Sequence, residues 1–192
     1  MGIAYDDRVL RITLDRPEVL NAMTETMADR VSAEIEHAHA REDVRAVLLE
    51  GNAVAFSAGV DLGATDGHEN LDATTLARAN RIIRAITSSP LPCVASVRGA
   101  AAGVGCSAAH ACDLVPDEDH EAAVERLLRR LAAGPPLAHT ATKRAVNAAT
   151  LHQLEPALER ESTGQVVLLR TADAAEGIRA FTEKRRPEFR GE

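Results

Sequence analysis

Aromatic residues are scarce in this chain. Tyr5, Phe56, Phe181 and Phe189 account for the 2% aromatic fraction, and tryptophan is absent. The core must therefore be filled by alanine, valine, leucine and isoleucine, and a ladder of stacking rings for single-stranded nucleic acid is excluded. Positive charge is not in excess either. The net charge of −7 argues against a basic face for a phosphodiester backbone, so an anionic ligand would need local cations set against the overall field. Cysteine occurs three times, as Cys93, Cys106 and Cys112. The odd number and the lack of a C-x-x-C pair suggest neither a disulfide framework nor a zinc site, and no metal is expected. No apolar run approaches the roughly 20 residues that cross a bilayer, and the first residues enter an amphipathic strand without a basic-then-apolar leader. These absences predict a cytoplasmic protein without membrane or nucleic-acid partners.

What is present is the composition of an ordinary globular domain, 45% hydrophobic and 27% charged over 192 residues, long enough for one real core. Val9–Leu14 alternates apolar and polar residues, as a half-buried strand does. Met23, Met27, Val31 and Ile35 recur every four residues and predict a helix over 24–40. Ala46–Leu49 is a continuous apolar strand, and Cys93–Val97 is a third. Between them, Asp72 is placed to cap a helix with the stripe Leu76, Ala79, Ile83 and Ile86. A short helix from Gly103 and the strand-like Cys112–Val115 follow. From Pro116 the pattern is helical only. Val124, Leu127, Leu128 and Leu131 form one stripe, Pro135-Pro136 opens a helix carrying Leu137 and Val146, and a helix covers 154–170. Asp173 with Glu176 reads as the capping box of a last helix. Strand–helix alternation followed by helices predicts an α/β core with a helical appendage.

Two segments carry chemistry. Phe56-Ser57-Ala58-Gly59-Val60-Asp61-Leu62 and Arg98-Gly99-Ala100-Ala101-Ala102-Gly103-Val104-Gly105-Cys106 each place small residues and backbone N–H groups at the end of a hydrophobic strand. Two such loops close together can aim two N–H groups at one oxygen, which stabilises the oxyanion of an activated carbonyl such as a thioester. The glycine-rich segment is neither a P-loop nor a dinucleotide fingerprint, because no Gly-Lys-Ser/Thr follows and the G-x-G-x-x-G order is missing. The histidines add little: His37 and His39 face different ways on one helix, His68 falls in a loop, and His110 follows the glycine-rich turn.

The pair of loops, with Ile12–Met23 before them and Glu176–Arg185 near the tail, resembles the crotonase (enoyl-CoA hydratase/isomerase) family. The resemblance implies an α/β fold of the ClpP/crotonase type, a spiral of ββα units with a C-terminal helical region, here shortened in the middle. Residues 1–115 would form the partial spiral core with the oxyanion loops, and 116–192 the helical region on the CoA and oligomerisation side. It further implies an acyl-CoA or enoyl-CoA thioester as substrate, no cofactor beyond CoA as part of that substrate, and assembly as a homo-trimer or hexamer. The implied oxyanion donors are the N–H groups of Ala58 and Val104. The implied substrate and CoA contacts are Arg16, Ser57, Gly59, Asp61, Leu62, Gly103, Ser107, Lys143, Phe181 and Lys184.

The chain departs from the family pattern twice. Ser107 stands where family hydratases carry a glutamate, and a serine hydroxyl is not a useful base without one beside it. This favours isomerase-like or other enolate chemistry over hydration, with a non-catalytic CoA-binding or oligomerisation protein as the alternative. Val115 also runs directly into Pro116, where the family has several tens of further residues, including its second acid. Either the protein is internally deleted there, or residues between the two are left out of the sequence.

Overall fold

The computed structural model describes residues 1–63, 73–114 and 120–192; Asp72, His68 and the Val115–Pro116 junction lie outside them. The described residues group into two compact units, Met1–Asp61 with Arg78–His152, and Leu62–Ala77 with Gln153–Glu192. This grouping differs from a division at residues 115/116. The two helices just beyond the junction belong with the sheet, the first because its apolar stripe covers one of the sheet's faces and the second through hydrogen bonds to the end of an earlier helix.

The first unit contains strands β1 (Gly2–Asp6), β2 (Val9–Thr13), β3 (Ala46–Glu50), β4 (Ala55–Ser57), β5 (Cys93–Ser96), β6 (Ala100–Ala101) and β7 (Asp113–Leu114). Five of them form one sheet in the order β1-β2-β3-β5-β7. The β1–β2 hairpin is antiparallel and all other neighbours are parallel. The short β4 and β6 pair with each other in a separate parallel sheet; neither is announced by a long apolar run. Strand β3 sits in the middle, and Ala46, Val47, Leu48 and Leu49 are all at most 1% exposed. A parallel strand covered on both faces needs such a continuous apolar run.

Helices α1 (Glu25–Ala38), α2 (Ala73–Ser88), α3 (Val104–His110), α4 (His120–Ala133) and α5 (Pro136–Thr150) complete this unit, α2 from Arg78 onward. Thr24 caps α1, its Oγ1 accepting the Met27 N–H at 3.2 Å, and Met27, Val31 and Ile35 are buried as their spacing predicts. On α2 the buried stripe is Ile82, Ile83, Ala85 and Ile86, while Leu76 and Ala79 are only half-buried. Val124 and Leu128 of α4 pack on Val9, Ala46, Leu48 and Val94, with Leu127 and Leu131 at the margin. Polar contacts fix α4 at the same face. The Arg11 guanidinium pairs through two bonds with Glu125, at 2.8 and 3.0 Å, and His120, 2% exposed, is hydrogen-bonded to Ser96 at 2.6 Å.

Helix α5 attaches differently. It buries no residue, and Leu137 and Val146, which it carries as expected, are 84% and 54% exposed. Instead Thr140, Lys143 and Asn147, one face by their spacing, bind the carbonyls that end α2 and the loop after it. Thr140 donates to Pro90 O at 2.9 Å, Asn147 to Thr87 O at 2.7 Å, and the Lys143 ammonium to Ile86 O and Leu91 O at 2.8 and 2.9 Å. The last carbonyls of a helix have no partner of their own, and these side chains supply one.

The second unit contains α6 (Leu154–Leu168) and α7 (Ala172–Thr182). Thr171, not Asp173, caps α7, its Oγ1 accepting the Ala174 N–H at 3.1 Å. The capping-box expectation fails because both carboxylates have other partners. Asp173 accepts the N–H groups of Arg190 and Gly191 at 2.6 and 2.7 Å, and Glu176 accepts the Glu188 N–H at 3.0 Å and the Arg185 guanidinium at 2.9 Å. Arg185 first, then the Glu188 amide, depress the Glu176 carboxyl from 4.5 to about 2. Because the folded value is lowered, the contribution of this clasp is complete above about pH 4.5 and is lost as pH falls toward 2. A carbon-detected NMR titration should place the Glu176 carboxyl midpoint near 2, with the Glu188 amide shifting at the same midpoint. A midpoint near 4.5 would show that the clasp does not hold in solution.

Candidate active site

The site is built on the segment Arg16–Met23. Pro17–Val19 forms a single 3₁₀ turn, after which Leu20 and Asn21 both adopt left-handed backbone, with φ of 52° and 57°. Asparagine tolerates this conformation better than most residues, and here its side chain holds it there. Fully buried, Asn21 accepts the Arg16 N–H at 2.7 Å and the Asn52 amide at 3.0 Å, and it donates to Ala55 O at 2.6 Å. Its own carbonyl accepts the Ser57 hydroxyl at 2.9 Å. The Arg16 guanidinium donates to Ala22 O and to Asp61, at 2.7 and 2.6 Å. The backbone completes the lattice: Met23 N donates to Gly59 O at 2.7 Å and Asp61 N to Met23 O at 2.9 Å. Segments 16–23 and 55–61 are thus one hydrogen-bonded body.

Against this body lies the loop 99–105. The Ala102 N–H donates to Ser57 O at 2.9 Å. Gly59 and Gly103 both have left-handed backbone, φ 96° and 51°, and they meet back to back: a Cβ on Gly103 would lie 3.6 Å from the Gly59 Cα, and one on Gly59 only 3.0 Å from Ala102 O. Gly105 permits the next approach, since a methyl there would come within 2.7 Å of the Ser57 Cβ and 2.9 Å of its carbonyl oxygen.

This packing corrects one expected donor. The Ala58 N–H is spent on Leu20 O at 2.9 Å and cannot serve an oxyanion. Among the described residues, the N–H groups of Val60 and Val104 make no hydrogen bond. Each directly follows one of the two facing glycines, and Val104 opens α3 with Gly103 as its cap. Sequence reasoning passed over Val60, although the dipeptide Gly-Val, present in both loops, was a signal.

The other expected residues sort by what they touch. Ser57, buried, donates to Asn21 O and accepts the Gly59 N–H at 3.2 Å, and Arg16 and Asp61 pair with each other; all three hold the loop in shape. Ser107 is exposed, its hydroxyl donating back to Gly103 O at 3.4 Å within α3. Lys143 is excluded as a free cation for a phosphate, because its ammonium is bound by Ile86 O and Leu91 O, with Cys93 Sγ at 3.6 Å. In the second unit Leu62 is half-buried, Phe181 is 76% exposed, and Lys184 is exposed. Among the described residues, no group of three or more His, Cys, Asp or Glu could hold a metal ion, and no helix is long and apolar enough to cross a membrane.

With this geometry in view, comparison with known proteins is decisive at the family level. The family model for enoyl-CoA hydratase/isomerase matches residues 5–119. A protein named probable enoyl-CoA hydratase from Rhodobacter capsulatus is 32% identical over 244 aligned positions, covering 94% of this chain and 93% of that one. The 1,2-epoxyphenylacetyl-CoA isomerase of Escherichia coli is 25% identical, covering 95% of each. The crystal structure of an enoyl-CoA hydratase from Mycobacterium avium subsp. paratuberculosis superposes with a TM-score of 0.87 at 30% identity, covering 98% of both chains.

The chain belongs to the enoyl-CoA hydratase/isomerase family and has its crotonase-like α/β fold. The 244 positions aligned with the Rhodobacter protein outnumber the 192 residues here, so that relative carries several tens of residues without a counterpart in this sequence.

The Asn21 lattice can be tested alone. Asn21→Ala removes three side-chain hydrogen bonds, those to the part-buried Arg16 N–H, to the Asn52 amide and to Ala55 O, and each polar group left unsatisfied away from water costs about 1–3 kcal/mol. Urea unfolding should show a loss of about 3 kcal/mol or more; a loss below about 1 kcal/mol would refute the role given to Asn21.

Proposed function

We propose that the chain binds an acyl-CoA or enoyl-CoA thioester and polarises its carbonyl with the N–H groups of Val60 and Val104. The observation that carries this reading is the pair of unpartnered N–H groups, each following one of two glycines in backbone contact. Two donors held in advance by a rigid loop lattice favour the charge that develops on the thioester oxygen, and no reorganisation is needed as it forms. Such an oxyanion lowers the cost of removing a proton beside the carbonyl, the step common to enolate chemistry. No cofactor is required beyond the CoA of the substrate.

Isomerase-like or other enolate chemistry is favoured over hydration. Ser107 occupies the position of the hydratase glutamate, and its hydroxyl is turned back onto Gly103 O with no base offered to a water. The same observation supports the rival reading of a CoA-binding protein without turnover, which would bind thioesters and convert none. Phe181 and Lys184 are candidates for the nucleotide end of CoA. Self-association as a trimer or pair of trimers is supported by the exposed Leu137 and Val146 of α5 and Val167 and Leu168 of α6.

Val104→Pro is the test, because proline is well tolerated at the first position of a helix and lacks the N–H. Activity on enoyl-CoA thioesters, followed both as hydration and as double-bond migration, should fall about 10²–10³-fold with an unchanged circular-dichroism spectrum. Infrared spectra of a ¹³C-labelled thioester should show its carbonyl stretch lowered on binding to the wild type and not to the variant. A folded variant with undiminished turnover, or a carbonyl stretch unmoved by the wild type, would overturn the assignment. Light scattering should give a mass at least three times that of one chain; a concentration-independent monomer would refute self-association.

A further inference from the structure

Residues 58–61 carry consecutive backbone N–H groups, and the structure leaves one of them open. The Ala58 N–H donates to Leu20 O at 2.9 Å, the Gly59 N–H to the Ser57 hydroxyl at 3.2 Å, and the Asp61 N–H to Met23 O at 2.9 Å. Between them, the Val60 N–H makes no hydrogen bond among the described residues. Backbone N–H groups held away from water are nearly always paired, so the choice of the open one has a cause.

That cause lies in two adjacent carbonyls. Leu20 and Asn21 both have left-handed backbone, with φ of 52° and 57°. The conformation is costly for a leucine and persists only where contacts hold it. In this turn Leu20 O takes the Ala58 N–H directly. Asn21 O accepts the Ser57 hydroxyl at 2.9 Å, and the same hydroxyl oxygen accepts the Gly59 N–H. Ser57 is fully buried, so its hydroxyl has no water to bond instead. The turn thus claims two N–H groups, one directly and one through a serine. What holds the turn is the buried Asn21 side chain, through the Arg16 N–H, the Asn52 amide and Ala55 O. All of these residues belong to the first compact unit.

We propose that Asn21 is a positioning residue for the thioester carbonyl: by holding the left-handed turn, it ties up the N–H groups of Ala58 and Gly59 and leaves that of Val60, with that of Val104, for the ligand oxygen. The inference rests on the oxyanion reading above and adds the side chain that selects the first donor. Asn21 acts through two carbonyls and one hydroxyl, without touching the substrate.

The test uses the full chain and a ¹³C-labelled enoyl-CoA thioester. Amide hydrogen exchange read by NMR should show Ala58 and Gly59 protected and Val60 open in the free wild type. Asn21→Gly removes the three side-chain bonds while supplying the residue best suited to positive φ. It should lose protection at both amides, and kcat should fall about 10²-fold, as a displacement of about 1 Å can cost, with KM nearly unchanged. Asn21→Asp keeps the two accepted bonds and loses the donated one, so it should fall between the two; it carries the test if the glycine variant does not fold. Ser57→Ala should expose the Gly59 amide alone. Asn147→Ala, which loosens α5 instead, should lower the melting temperature and leave kcat per folded molecule unchanged. For a wild type that binds the thioester without converting it, the shift of the bound carbonyl stretch replaces kcat and should shrink in the same order.

Wild-type kcat and carbonyl stretch in a folded Asn21→Gly or Asn21→Asp protein would overturn the positioning role. So would exchange at Ala58 and Gly59 as fast as at Val60 in the wild type, or an equal loss of turnover in Asn147→Ala, which would mark general loosening. Loss of turnover in Val104→Pro with none in the Asn21 variants removes only this inference; no loss in either removes the oxyanion reading as well.

Discussion

The contact between Gly59 and Gly103 is the constraint on which the candidate site depends. Two backbones approach closely there, a Cβ on Gly59 falling 3.0 Å from the Ala102 carbonyl oxygen, and both turn through left-handed conformations at that point. The approach brings the residues after the glycines to the same place in the structure with their N–H groups unclaimed. It also sets limits on its neighbours: Ser57 must be small and satisfied, Gly105 must lack a side chain, and the segment before β4 must be anchored. Asn21 meets the last condition with one side chain, bonding three backbone or side-chain groups from separate parts of the chain. The two unclaimed N–H groups belong to valines whose side chains carry no polar group, so the candidate site is a property of backbone geometry.

Polar contacts also do work that apolar packing does elsewhere in this fold. Helix α5 has no buried residue and is held by Thr140, Lys143 and Asn147 against carbonyls that α2 leaves unpaired at its end. A lysine in that role is saturated by its acceptors. The same holds at the other end of the chain, where Glu176 and Asp173 organise the turn after α7 by accepting backbone N–H groups. In both places a charged side chain completes the hydrogen bonding of a helix end or a turn, which explains why a run of charges does not translate directly into a ligand-binding surface.

The large elements were legible because their signals are periodic. The stripes of α1 and α4 and the apolar run of β3 each state a burial pattern, and those patterns recur in the structure. Strands β4 and β6 were not legible, since three and two residues cannot display a period. Of the candidate site, the two glycine loops could be read directly, but which N–H of the first loop is left unclaimed could not. Choosing between Ala58 and Val60 requires knowing which N–H the Leu20 carbonyl takes, and that depends on the left-handed turn at Leu20 and Asn21. Lys143 misled for a related reason: on sequence it is one more helix cation, and its fate is decided by carbonyls more than fifty residues away. Asp173 and Glu176 matched a capping box in spacing, yet residues 185–191 compete for both carboxylates.

The pairing of Arg11 with Glu125 joins residues 114 positions apart, and the apolar cluster beside it joins Val9 to Leu128. One face of the sheet is therefore assembled early in the chain and covered late. During synthesis, Val9, Ala46, Leu48 and Val94 emerge from the ribosome well before α4 exists to shield them. The nascent chain spends that interval with an open apolar face, in the condition that recruits chaperones and favours aggregation. The demand on cellular folding assistance thus follows from where along the chain the covering helix is encoded, independently of how stable the finished molecule is.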